Sequence, residues 1–150
     1  MIKAKATTTK TTAPKTKAPR SVAPVAHGVG RRKSSIARIW LRPGKGSIVV
    51  NGKDFKEYFE TEVTRLDASK VFRVMTTELN FDVEANVTGG GNCSQAGAVQ
   101  LGIARALVAA NEGLRPMLRQ HELLTVDSRV KERKKYGQKA ARRKFQFVKR

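Results

Sequence analysis

Acidic side chains are absent from the first third of this chain, and their segregation constrains its architecture more than any other feature. Residues 1–53 carry 13 Lys/Arg and no Asp or Glu, and residues 54–127 carry 7 basic and 11 acidic residues. Residues 128–150 carry 11 basic residues against the single acid Glu132. A mildly acidic middle is therefore flanked by two strongly basic arms, the pattern of chain ends that engage nucleic acid. The formal charge of +19 and pI near 10.9 exceed what a compact body holds without self-repulsion, so a polyanionic partner is implied. Nucleic acid is the first candidate and an anionic membrane surface the second. The 150 residues suit one domain plus tails.

Cys93 is the only cysteine, which rules out an internal disulfide and a thiolate metal cluster and suits a reducing compartment. No run approaches the length and apolarity of a membrane span, and the N-terminus has no apolar core of a secretory signal. Residues 1–27 are basic and acid-free, as an organellar transit peptide would be, but hold only Arg20 and Ser21 of the residues such peptides favour.

Three regions follow. Residues 1–27 form a Lys/Thr/Ala/Pro arm in which Pro14, Pro19 and Pro24 break any helix, predicting disorder. It reads either as a solubilising tail or as a diffuse RNA contact. Residues 28–127 carry the apolar periodicity of a globular domain. From Ser35, Ala37, Ile39 and Leu41 alternate with Ile36, Arg38, Trp40 and Arg42, predicting a strand with one basic-aromatic face. Pro43-Gly44-Lys45-Gly46 is a turn cluster, and Ser47–Val50 is a second strand; a hairpin joins the two in the simplest reading. Asp54 is placed to cap a short helix carrying Phe55, Tyr58 and Phe59. Residues 61–79 fit no single period and read as a helix start followed by extended chain. Phe81–Val87 alternates strictly, as a strand with one wet face. A long helix from about Ser94 to Ala110 presents Ala96, Val99, Ile103, Ala106, Leu107 and Ala110, and Asn111-Glu112-Gly113 stops it. A short helix from about Arg115 to Leu123 has Pro116 in its first turn. The expected class is α/β (α+β), one sheet with helices packed on a face.

The chemistry-bearing motifs are few. Thr88-Gly89-Gly90-Gly91 joins a strand to a helix but lacks the Gly-Lys-Ser/Thr ending of a nucleotide-binding loop; it reads as a tight turn, or as a phosphate site belonging to RNA. His27 and His121 have no metal-ligand spacing, and Ser94 with His121 lacks a nucleophile frame. Glu57, Glu60 and Glu62 read as an exposed helix face. No cofactor, metal or catalytic constellation emerges, so an enzyme is disfavoured. By contrast, Arg31-Arg32-Lys33 with Ser34-Ser35 suits phosphate, and Arg38 and Arg42 continue the cationic surface. In the residue 128–150 tail, Arg133, Lys134, Lys135, Lys139, Arg142 and Arg143 surround Tyr136, with Phe145 and Phe147 beyond. Cations neutralise phosphates while rings and Arg planes stack on unpaired bases. If extended, the stretch from Tyr136 to Arg150 spans roughly 45–50 Å at ~3.3–3.6 Å per residue. A histone-like compactor of nucleic acid is the competing function.

Six segments, in order from Gly28 onward, resemble the bacterial-type ninth small-subunit ribosomal protein family. They are Gly30-Arg31-Arg32-Lys33-Ser34-Ser35, Pro43-Gly44, Gly89-Gly90-Gly91 with Gln95-Ala96-Gly97-Ala98, Gly102–Leu107, Glu132–Gly137, and the ending Ala141-Arg142-Arg143 with Gln146-Phe147 and Lys149-Arg150. The resemblance implies a four-stranded mixed sheet backed by helices, with a left-handed crossover. It implies a place in the small-subunit head, bound to small-subunit ribosomal RNA beside neighbouring head proteins, in the cytoplasm, and no membrane or independent homo-oligomer. It also implies that the tail end, Lys149 and Arg150, approaches the anticodon stem-loop of P-site transfer RNA. The sequence departs from the family pattern at Cys93-Ser94, usually Ser-Gly, and in the tail at Lys144-Phe145 and Val148.

Overall fold

The alternation at Ser35 produces strand β2 (Ser35–Pro43), in which Ala37, Ile39 and Leu41 are fully buried while Ile36 and Arg38 face outward. Each buried Ile or Leu contributes roughly 1.5–3 kcal/mol of apolar transfer energy. The computed structural model describes residues 23–75 and 81–147. Most of the expected disordered arm, the extended chain expected at 76–79, and Lys149 and Arg150 lie outside those residues.

Four further strands build the sheet: β1 (Ala26–Arg32), β3 (Ile48–Val50), β4 (Lys53–Asp54) and β5 (Phe81–Thr88), in the order β1-β2-β5-β3-β4. Pairing is antiparallel except between β3 and β5, whose parallel alignment demands a crossover connection. The crossover runs through β4, helix α1 (Phe55–Tyr58) and helix α2 (Glu62–Val74). The sheet thus has five strands where four were expected, the two-residue β4 adding the edge beyond β3.

Two other expectations need correction. The Ser35 and Ser47 strands do not form a hairpin, because β5 lies between them. Pro43–Ser47 instead crosses the start of β5, where the Asp82 carboxylate accepts N–H bonds from Gly46 (3.1 Å) and Ser47 (2.9 Å). These donors, Ser47 foremost, hold the Asp82 carboxyl below its ordinary pKa. A side chain at Gly44 would collide with that carboxylate. The real hairpin joins β1 to β2 through Lys33-Ser34. Secondly, α2 is continuous to Val74, with Thr64, Ala68 and Val71 buried on one face and Val63 exposed. Small inward residues and an apolar outward one disguise its period. Asp54 does precede α1, but its side chain makes no capping bond.

Helix α3 (Asn92–Ala110) lies across the buried face of β1 and β2, with α2 beside it. Its expected core residues are buried except Ala110, which is partly exposed. The approach is backbone on backbone. A methyl at Gly30 would stand 1.9 Å from the Ala98 carbonyl and 2.4 Å from the Gly102 nitrogen. Arg105 of α3 donates to the Val29 carbonyl (2.8 Å), occupying a polar group of the edge strand that would otherwise recruit another chain. Helix α4 (Arg115–Gln120) follows a 3-10 turn (Glu112–Leu114) and ends with Glu122 in a left-handed backbone (φ 57°). The Leu123 N–H returns to the Leu118 carbonyl, and both side chains are buried. The tail leaves from that point.

Candidate nucleic-acid interface

Strand periodicity divides the Gly30–Ser35 run. Arg31 is exposed on the sheet face opposite the helices. Arg32 turns to the helical side, where its guanidinium donates to the Cys93 carbonyl (3.1 Å) and lies 3.6 Å from Asp127. Lys33 occupies the hairpin tip with φ 53°. Three adjacent cations therefore point to three surfaces, and Arg32 already has protein partners.

The open sheet face is arranged in cross-strand rows: Arg31 beside Ile36 and Thr88, Val29 beside Arg38 and Asn86, and His27 beside Trp40 and Glu84. The His27 and Trp40 rings are 5.3 Å apart and tilted by 50°. Arg42 donates to Glu84 (3.1 Å), whereas Arg31 and Arg38 have no acidic partner among the described residues. The face is consequently cationic along β1 and β2 and acidic along β5. The aromatic pair was not legible in the sequence, because β1 itself was missed.

The Gly89–Gly91 segment is the tight turn. The Ser35 and Ser94 hydroxyls lie 2.6 Å apart, and a side chain at Gly90 would overlap both. One consistent set of donations satisfies all of them: Ser35 to Ser94, Ser94 to the Gly91 carbonyl (2.8 Å), and Gln95 to the Gly89 carbonyl (3.0 Å). Ser94 also accepts the Gly91 N–H (3.1 Å) within the turn, and its hydroxyl contact with Ser35 ties the Cys93-Ser94 departure to β2. Among the described residues no group of three His, Cys, Asp or Glu is placed to hold a metal.

The tail from 128 to 147 has no helix or strand and little burial. Asp127 roots it: Arg129 grips that carboxylate through Nε (2.8 Å) and Nη2 (2.9 Å), which with Arg32 depresses the carboxyl's pKa. Further on, Arg142 clasps Glu132 through Nε (3.0 and 3.1 Å) and Nη2, with Lys135 at 3.9 Å. The Lys139 N–H bonds the Arg143 carbonyl (2.9 Å), Gly137 has φ 65°, and the Lys139 ammonium lies 5.6 Å from the Phe145 ring. The tail therefore closes on itself between Glu132 and Arg143, and its reach is less than its extended contour. Tyr136 is 95 % exposed and Phe147 101 %, a placement that costs hydration free energy unless a partner covers the rings. Arg133, Lys134 and Arg143 are likewise exposed. Sequence reading missed the clasp; its one signal was a lone acid in a basic run.

A helix-backed sheet with cations along β1 and β2, and a charged aromatic tail that packs on no core among the described residues, define a strongly basic α/β protein. The chain belongs to the ribosomal protein S9/S16 family, whose model matches residues 30–150. It is similar to the small ribosomal subunit protein uS9 of Cytophaga hutchinsonii, 50% identical over 126 residues, covering 84% of this chain and 98% of that protein. The uS9 proteins of Chlorobaculum parvum and Chlorobaculum tepidum are each 53% identical over 122 residues, covering 81% of this chain and 95% of theirs. The family is one of structural ribosomal proteins, and the chain is not an enzyme.

Proposed function

We propose that this chain is a structural constituent of the small ribosomal subunit, bound to small-subunit ribosomal RNA in the head. The observation that carries this reading is the unpacked tail, where Arg133, Lys134, Lys135, Lys139 and Arg143 surround rings left in water. Cations of that kind displace counterions from phosphates, and the rings stack on unpaired bases. Arg31, Lys33 and Arg38 add contacts from the folded body, and Arg32, Arg42 and Arg142 join them by exchanging carboxylates for phosphates. Lys149 and Arg150 end the tail and approach the anticodon stem-loop of P-site transfer RNA. Cytoplasmic ribosomes are the setting, in keeping with the bacterial relatives.

Filter binding of the full chain to small-subunit ribosomal RNA tests the reading. Neutralising six to ten phosphates lowers affinity by about 10³–10⁵ between about 50 and 200 mM salt. Deleting residues 134–150 should flatten that slope, and deleting only Lys149 and Arg150 should weaken P-site transfer RNA binding in assembled subunits. A slope unaffected by the long deletion would overturn the role of the tail.

A further inference from the structure

The open face of the sheet holds an ordered aromatic pair that neither the tail nor the core uses. Trp40 lies at its centre, across from His27 on β1 and Glu84 on β5. Along β2 it is flanked two residues away by Arg38 and Arg42, each about 6.6–7 Å distant at the rise of a strand. Arg31 extends the cationic strip on β1. Glu84 and Asp82 border the strip on the other side, and Arg42 holds Glu84 in place.

We infer that this face is a stacking site for one unpaired nucleotide of RNA, its base on the Trp40–His27 pair and its phosphates toward Arg31 and Arg38. The inference rests on the RNA-binding reading above and adds a second, independent recognition surface. The charge distribution selects the ligand. A single strand can follow the β1–β2 strip with all its phosphates on the cationic side, whereas a duplex would set a second phosphate strand over Asp82 and Glu84. Aromatic stacking is sequence-tolerant, because every base has a π face, so the site selects unpaired over paired nucleotides rather than one base over another.

Trp40 is the chain's only tryptophan, so its fluorescence reports this face and not the tail. The probe is a short single-stranded oligoadenylate added to the full chain, with an RNA duplex of equal phosphate count as the comparison. Filter binding is measured on the same samples. The expected result is saturable quenching by the single strand, much weaker quenching by the duplex, and a weaker apparent affinity for quenching in Arg31→Gln/Arg38→Gln. Trp40→Ala should reduce oligonucleotide affinity by about 5- to 150-fold, and Trp40→Phe by less. Retention on the filter with no Trp40 quenching, or with equal quenching by both probes, would overturn the stacking site and leave the RNA reading standing. No retention at low salt would overturn the RNA reading and this inference with it.

Discussion

Lys33 holds a left-handed backbone at the first position of a two-residue turn, where glycine is the usual occupant. A side chain there costs about 1–2 kcal/mol, partly offset by the roughly 0.5–1 kcal/mol of chain entropy that glycine would lose. Lys33→Gly is therefore expected to stabilise the fold by up to about 1 kcal/mol in urea unfolding, while the salt slope of RNA binding falls by about one. A variant less stable than the parent would mean that Lys33 makes a contact the backbone argument overlooks. Single residues were the least legible scale. Arg31-Arg32-Lys33 reads as one patch in the sequence, yet it is split because direction along a strand alternates and β1 was not seen as a strand. Ser94 likewise looks like a bare departure until the Ser35 hydroxyl, 59 positions away, is brought to it by the fold.

At the scale of elements, patterns that depend on one segment alone were readable. Phe81–Val87 shows its strand because apolar and polar residues alternate strictly, and α3 its helix because Val99, Ile103 and Leu107 recur among small inward residues at helical spacing. Strand β1 hid because its two buried positions are Gly28 and Gly30, which contribute no side chain to the pattern. The apparent hairpin after β2 failed because strand order depends on β5, which enters the sheet more than thirty residues later. The same glycines carry a prediction. Gly30→Ala forces a methyl against the α3 backbone, which cannot rotate away as a side chain could. Overpacking of this kind costs ~1–3 kcal/mol or more, so thermal unfolding should show clear destabilisation. An unchanged midpoint would show that β1 and α3 separate readily.

Across the whole molecule the cations are not equivalent, although composition counts them alike. Asp127 occupies Arg32 and Arg129, Glu84 occupies Arg42, and Glu132 occupies Arg142 and Lys135. Charge segregation along the chain was plain from the sequence; which cations stay unpaired depends on the folded arrangement. Glu132→Gln frees Arg142, and filter binding should then show tighter RNA binding with a salt slope steeper by up to about one. An unaltered slope would mean that the clasp is already open in solution. The clasp also couples the tail to hydrogen-ion activity. Arg142, foremost, holds the Glu132 carboxyl below its ordinary pKa in the free chain. If RNA captured Arg142 as proposed, that carboxyl would be left beside phosphates, where the neutral form is favoured and the pKa would rise. Complex formation then takes up a proton as the solution approaches the carboxylate range, and acidification there tightens binding rather than loosening it. The only acid in the tail thus makes protonation a gauge of how far the loop has opened.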